Sequence, residues 1–254
     1  MSTPFYVPGQ EFKDFIAVIT GGTGGIGSAT ADYLAARGAK VALLDVSETK
    51  DSDYYSDICD ITSDTDVKRA ITAIAAHFGG IDILINNAGI GAGGDVTANS
   101  DEEWLQVFNV NVFGAVRVTR AAMPYLMNSS IASVVNTASV VADIGLPNRA
   151  LYSSTKGALE ALTRAMAADY ISEGIRVNAV SPGTADTPWV ARLLAEAEDP
   201  AVMSANLVAR QHMKRLITAQ EVAHAIAYLA SPLSSSTTGT ILPVDAGLHS
   251  LRTS

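Results

Sequence analysis

Six apolar, β-rich runs punctuate this chain, and stretches with helical periodicity fill the gaps between them. The runs are FIAVIT (15–20), KVALLDV (40–46), IDILINNAG (81–89), ASVVNTAS (132–139), IRVNAVSPG (175–183) and TILPVD (240–245). A weaker one lies in YYSDICD (54–60). Strands alternating with helices build a parallel sheet with helices packed over it. Continuous apolar character, rather than in–out alternation, marks strands buried on both faces. The predicted fold class is therefore α/β, a doubly wound sheet of about seven parallel strands with helices on both faces.

Helical periodicity fits residues 26–37, 64–78, 101–127, 150–173 and 219–230. Ser63 and Ser100 precede acidic first turns, as N-caps do. Gly38 and Gly174 stand where helix C-caps belong. Pro124 should kink or end the helix that contains it. Few residues separate Val46 from the weak third strand, so a crossover helix there should be short or absent. A length of 254 residues allows one large α/β domain or two small ones. With no linker, repeat or low-complexity segment in view, one domain over residues 1–254 is expected.

The chain is 48% hydrophobic and 17% charged, enough for a sizeable core. A formal net charge of −9 argues against a nucleic-acid or anionic-membrane partner. Cys59 is the only cysteine, so no intrachain disulfide or cysteine metal cluster is expected. His77, His212, His224 and His249 show no metal-ligand spacing, and no metal is expected. No apolar run is long enough to span a bilayer. The opening MSTPFYVPGQEF lacks the basic and apolar regions of a secretion signal, so a cytoplasmic protein is expected.

VITGGTGGIGSAT follows the first strand and opens a helix, with Gly21, Gly25 and Gly27 spaced G-x-x-x-G-x-G. Thr23 and Ile26 lie within the same loop. Such a turn needs backbone angles and close approaches that favour glycine. The helix behind it would then offer free N–H groups and its positive dipole end to a pyrophosphate. A plain tight turn is the alternative, and the position between strand and helix favours the phosphate cradle. Asp45 ends the second strand, where a carboxylate can accept hydrogen bonds from an adenosine ribose. It would also repel a 2′-phosphate. Two unit charges about 4 Å apart interact by roughly 4 kcal/mol at an effective dielectric of about 20. No Lys or Arg lies in the loop or directly after Asp45, so NAD is favoured over NADP.

NNAG (86–89), Asn111 in NVNVFG, Ser139 after a strand, YSSTK (152–156) and SPGTADT (181–187) follow the glycine loop in order. In that order and spacing, from about residue 12 to 248, the chain resembles the short-chain dehydrogenase/reductase family. Taken singly, a strand-end turn would also account for Ser139, and a buried helical position for Asn111. The resemblance implies a single Rossmann-type domain and a catalytic set of Asn111, Ser139, Tyr152 and Lys156. A phenol with a pKa near 10 is a poor base at neutral pH, and a nearby ammonium favours its phenolate. Lys156, one helical turn from Tyr152, is expected to supply that field and to bond the nicotinamide ribose. Tyr152 would then exchange the alcohol proton, Ser139 would orient the reacting oxygen, and Asn111, resembling the family's helix-kinking asparagine, would hold a water through its carbonyl. The family further implies Asp60 and Ile61 at the adenine, Asn87, Ala88 and Gly89 beside the ribose, and Pro182, Gly183 and Thr187 at the nicotinamide amide. It also implies a homotetramer built on the 101–127 and 150–173 helices.

Substrate choice should reside between Ser139 and Tyr152 and in the insertion at 184–216, two helical pieces split at Asp199-Pro200 that would form a lid. NRALYSSTK, PGTADTPWVARL and VARQHMKRL resemble a subgroup that includes the cytosolic type 2 hydroxybutyrate dehydrogenase and dehydrogenases of 2-keto-3-deoxy sugar acids and deoxy sugars. His212 and Lys214 depart from the proline and glycine of its RQPMGR version. Arginine suits bidentate carboxylate recognition. Arg149, Arg192 and Arg210 are therefore expected to wall a small hydroxy or keto acid. Surface pairs, Arg149 with Asp143 or Arg192 with Glu196, are the alternative. A neutral sugar or polyol dehydrogenase, a 3-oxoacyl-thioester reductase and a non-catalytic NAD-binding regulator are the competing functions.

Overall fold

The computed structural model describes residues 9–48 and 53–252. The expected strands pair, all in parallel, into one seven-stranded sheet of order β3-β2-β1-β4-β5-β6-β9. They are β1 (Ile16–Thr20), β2 (Lys40–Asp45), β3 (Tyr55–Ile58), β4 (Ile83–Asn86), β5 (Ser133–Thr137), β6 (Arg176–Pro182) and β9 (Ile241–Val244). The two strands between β6 and β9, β7 (Ala185–Asp186) and β8 (Ile217–Thr218), form a separate parallel pair. The strand order reverses between β1 and β4. At such a reversal a crevice opens beyond the strand ends, where ligands of this fold class bind.

Eight α-helices are present among the described residues: α1 (Gly25–Ala35), α2 (Asp64–Phe78), α3 (Asp101–Phe108), α4 (Ala115–Leu126), α5 (Ala150–Tyr170), α6 (Pro188–Ala195), α7 (Pro200–Arg210) and α8 (Ala219–Ala230). One core layer buries Val67, Ile71 and Ile74 of α2 with Val118 and Leu126 of α4 and Met166 of α5. The other buries Leu34 of α1 with Val222, Ile226 and Leu229 of α8. The central strands are apolar because they contribute to both layers. Ser63 and Ser100 cap α2 and α3 as expected, accepting from the amides of Asp66 and Glu103.

The expected helix at 101–127 is broken, but not by Pro124. That residue lies in the last turn of α4, where its missing N–H removes only one late bond. The irregularity is a π-helical stretch at Asn109–Gly114, between α3 and α4. No helix occurs between β2 and β3 among the described residues, although residues 49–52 lie outside them. The insertion after β6 divides into α6 and α7 at Asp199-Pro200. The Asp199 carboxylate caps α7 through the amides of Ala201 and Val202.

Arg176 opens β6 with 9% exposure, and its burial pushes the guanidinium below its ordinary pKa. Its nitrogens donate to the carbonyls of Leu229 (2.7 Å), Ala230 (3.1 Å) and Ser231 (3.0 Å) at the end of α8, and of Thr237 (3.3 Å). One side chain thus satisfies carbonyls that a helix end leaves without partners. Arg176→Met strands them in the interior and is expected to cost about 3 kcal/mol. In thermal unfolding that loss corresponds to a fall of roughly 6–12 °C. Arg176→Lys, which keeps the charge and fewer donors, should recover part of it.

Candidate active site

Gly21, Thr23, Gly25, Ile26 and Gly27 form the turn from β1 into α1. Gly21 has φ +66° and donates to the carbonyl of Leu44 (2.8 Å). A Cβ on Gly27 would fall 2.1 Å from the carbonyl oxygen of Gly21, so the turn closes only with glycine there. Gly24 caps α1 without a side-chain partner, which leaves the first amides of the helix uncapped by any side chain. A cradle that a Cβ would fill, facing uncapped amides, fits a pyrophosphate. Asp45 sits at the end of β2 beside this loop. Its carboxylate accepts from the Thr23 amide (3.0 Å) and hydroxyl (2.7 Å) and from the Ser47 amide (3.2 Å).

Asn87, Ala88 and Gly89 follow β4 across the crevice. The Asn87 amide donates to the carbonyls of Thr20 and Gly21, both at 3.1 Å, which ties this segment to the glycine loop. Asn111 occupies the π-helical stretch with 1% exposure. Its side chain accepts from the Ile90 amide (2.8 Å) and donates to the Ile90 carbonyl (2.9 Å) and the Thr155 hydroxyl (3.0 Å). Asp60 begins a turn into α2, where its carboxylate accepts from the Thr62 amide and hydroxyl. Ile61 is buried, and a Cβ on Gly114 would meet it at 2.5 Å.

A cavity of about 210 Å³ gathers eleven of the expected residues: Ile26, Asn87, Gly89, Ser139, Arg149, Tyr152, Lys156, Pro182, Gly183, Thr187 and Arg210. Lys156 is buried, with its ammonium donating to the Thr137 carbonyl (2.7 Å) and lying 5.6 Å from the centre of the Tyr152 ring. Burial lowers Lys156 to about 8. Burial raises the Tyr152 phenol, while a hydrogen bond with Ser139 and the charge of Arg149 pull it down. The ammonium expected to favour the phenolate is thus aimed at a main-chain carbonyl. Arg149, one turn before the tyrosine, adds a further positive charge that favours the phenolate. Thr187 caps α6 and, with Pro188, approaches to 3.0 Å of the position a Gly25 Cβ would take.

Arg149 is half-buried at the start of α5. It donates to the Ala92 carbonyl (3.3 Å) and to that of Asn148 (3.5 Å). Burial first, and the charge of Arg210 second, press it below its ordinary pKa. Neither arginine forms an ion pair among the described residues, and the alternative pairs with Asp143 and Glu196 are not made. The wall expected from three arginines contains two. Val190 and Leu193 take the inward face of α6, which turns the exposed Arg192 away from the cavity.

Sequence reasoning passed over Gln211, because a polar residue next to Arg210 and His212 gives no sign that it is buried. It is fully buried at the end of α7. Turned so that both ends are satisfied, its amide donates to the Asp245 carbonyl (2.8 Å) and accepts from the Thr184 amide (2.9 Å). The start of the insertion, its end and the turn after β9 therefore meet on one side chain. Leu248 was missed for a similar reason. It reaches the cavity because Ala246 and Gly247, both at positive φ, turn the chain back.

Gln211→Met removes both bonds and is expected to cost about 2 kcal/mol in unfolding experiments. A glutamate there can replace both partners only when protonated, since its hydroxyl must face the Asp245 carbonyl. Its folded-state pKa would therefore be raised above the free value of about 4.3. Gln211→Glu should approach the wild-type stability in acid and lose it as pH rises from about 4.

Comparison with known proteins supports a common origin for this arrangement. The family model described as enoyl-(acyl carrier protein) reductase matches residues 21–249. Cis-4-hydroxycyclohexanecarboxylate dehydrogenase of Sinomonas cyclohexanicum is 38% identical over 94% of this chain and 98% of its own. Dehydrogenase/reductase SDR family member 6 of Danio rerio is 35% identical over 91% of this chain and 96% of its own. Ligand-free aldohexose dehydrogenase of Thermoplasma acidophilum superimposes with a TM-score of 0.91 at 35% identity, covering 96% of this chain and 98% of that one. With this fold, glycine loop and Ser–Tyr–Lys cavity, and with relatives matching end to end, the chain belongs to the short-chain dehydrogenase/reductase family of nicotinamide-dependent oxidoreductases.

Proposed function

We propose that this protein is an NAD-dependent dehydrogenase interconverting the secondary alcohol and ketone of a small hydroxy or keto acid. The observation that carries the reading is the pair Arg149 and Arg210, lining the cavity beside Tyr152 without a carboxylate partner among the described residues. Half-buried guanidinium next to like charge is costly unless an anion completes it. A substrate carboxylate supplies that anion, and α5 sets Arg149 one turn from Tyr152. The name of the Sinomonas relative, a hydroxy-acid dehydrogenase, agrees with this. The aldohexose dehydrogenase leaves the body of the substrate open.

The nicotinamide, when bound, accepts or returns the hydride. Tyr152 takes the carbinol proton in the oxidative direction, and Ser139 holds the reacting oxygen. Lys156, near a pKa of 8, is placed to exchange a proton at physiological pH. Gly21, Gly25 and Gly27 would hold the pyrophosphate and Asp45 the adenosine ribose. Pro182, Gly183 and Thr187 would flank the nicotinamide, and the helices 101–127 and 150–173 would form a tetramer interface.

Asp45 supports NAD over NADP, since its carboxylate beside Thr23 would face a 2′-phosphate. Steady-state kinetics should give at least a tenfold preference for NAD, from a repulsion of about 2 kcal/mol after solvent screening. Asp45→Ser should narrow that preference, and an unchanged ratio would assign it to another residue.

Arg149→Met tests the carboxylate. KM for a hydroxy acid should rise about a hundredfold, with little change for a neutral secondary alcohol. Equal losses on both would refute the carboxylate reading. Loss of the arginine charge also disfavours the phenolate, so the acid limb of the kcat/KM profile should move to higher pH.

A further inference from the structure

The polar and hydrocarbon parts of the cavity come from different segments. Asn87, Thr137, Ser139, Thr184 and Thr187 gather at the strand ends of β4, β5 and β6 and at the start of α6, and Lys156 joins them from α5. The Asn87 side chain is engaged with the glycine loop, the Lys156 ammonium with the Thr137 carbonyl and the Thr187 hydroxyl with the start of α6. Thr184 meets Gln211 through its main-chain amide, and the Thr137 hydroxyl is buried without a partner among the described residues. Much of the remaining wall is supplied by residues 140–146, α6, α7 and the turn after β9. It presents Val140, Val141, Leu146, Leu193, Leu207 and Leu248. Apart from the Arg210 guanidinium and the half-exposed indole of Trp189, these segments offer the cavity no polar side chain.

From this division we infer that the substrate is a hydroxy acid whose skeleton is hydrocarbon, carrying only its carboxylate and the reacting carbinol as polar groups. The inference rests on the carboxylate reading and narrows it. Extra hydroxyls, as on an aldonic acid or another sugar acid, would leave water to face isopropyl and isobutyl groups. A buried hydroxyl without a partner lowers binding by about tenfold or more, and several such groups compound the loss. An acid with a hydrocarbon body instead gains from covering the same wall. The wall therefore determines the body of the substrate, and the arginines its end. Leu146 and Leu207 are the specificity-determining side chains, being large, inward and outside the catalytic set.

The test compares kcat/KM for hydroxyhexanoates, gluconate and the neutral hexanols, which share one chain length, with saturating NAD. Hydroxyhexanoates should exceed gluconate by about a hundredfold or more. Gluconate turned over as well as hydroxyhexanoates would overturn the hydrocarbon body, while hexanols turned over as well as the acids would overturn the carboxylate reading alone. A second arm needs no turnover. Hexanoate should raise the melting temperature of the NAD-loaded protein and gluconate should not. Equal protection by gluconate, or none by hexanoate, would sink the inference even if no alcohol in the set is oxidised. Leu146→Asn should then lower kcat/KM for hydroxyhexanoates about tenfold and narrow their margin over gluconate. An unchanged margin would remove Leu146 from the wall.

Discussion

The buried carboxamide of Asn111 is the contact on which the geometry of the site depends. It holds the main chain of Ile90 at both its amide and its carbonyl, and it bonds Thr155 on the helix that carries Tyr152 and Lys156. Three bonds from one residue thus fix the loop after β4 against α5. The π-helical stretch is what aims it, since the wider turn at Asn109–Gly114 swings the side chain off the regular helical face. Gly89 completes the join. A Cβ there would stand 3.2 Å from the Asn111 oxygen and 3.6 Å from the Lys156 ammonium. A substitution at either place moves the dinucleotide-facing loop and the catalytic helix together. The expectation drawn from the family concerned the carbonyl of Asn111; in this structure its side chain also has a framework role.

The electrostatics of the cavity follow from how completely each cation is enclosed. Lys156 is buried among neutral groups and satisfied by one carbonyl, so burial dominates and its pKa falls. Arg149 is only half-buried, keeps its charge, and lies one helical turn from the phenol. Tyr152 is therefore pulled toward ionisation by the arginine and the serine, against the desolvation that resists it. The two cations divide the work. On the proposed reading, one would exchange a proton and the other would remain a fixed positive charge.

The sheet was legible because its strands are buried on both faces, which leaves the same apolar signature in each. The cradle was legible through spacing, since a tight turn demands fixed intervals, whereas the Ser139–Tyr152–Lys156 set came from the family resemblance, helical spacing alone pairing only Tyr152 with Lys156. The break at Asn109–Gly114 was legible only through the family resemblance, which implies a helix-kinking asparagine at Asn111, because a one-residue shift of helical phase is lost in so short a run of the apolar pattern. Arg192 was misplaced for the complementary reason. Its residue type suited the cavity, but its side of α6 was set by Val190 and Leu193, and burial decides orientation before charge does. Gln211 and Leu248 depended on contacts between segments far apart in the chain, which local pattern does not encode.

The presence of two arginines, rather than one, has a physical reason on the proposed reading. A substrate carboxylate bound at Arg149 would cancel the charge that helps Tyr152 ionise, so tight binding and proton removal would oppose each other. Arg210 relieves the conflict. With two guanidiniums and one carboxylate, the site keeps a net positive charge of about one after the substrate is seated. The cost is borne by the free protein, where burial first and repulsion by Arg210 second press Arg149 below its ordinary pKa. Gln211 links this device to the framework, because the residue after Arg210 is the one fixed to Thr184 and Asp245. Arg210 is thus carried on a helix whose end is anchored beside the segment expected to receive the nicotinamide. Charge needed for the substrate and position needed for the dinucleotide are set by neighbouring residues, so neither can shift without the other.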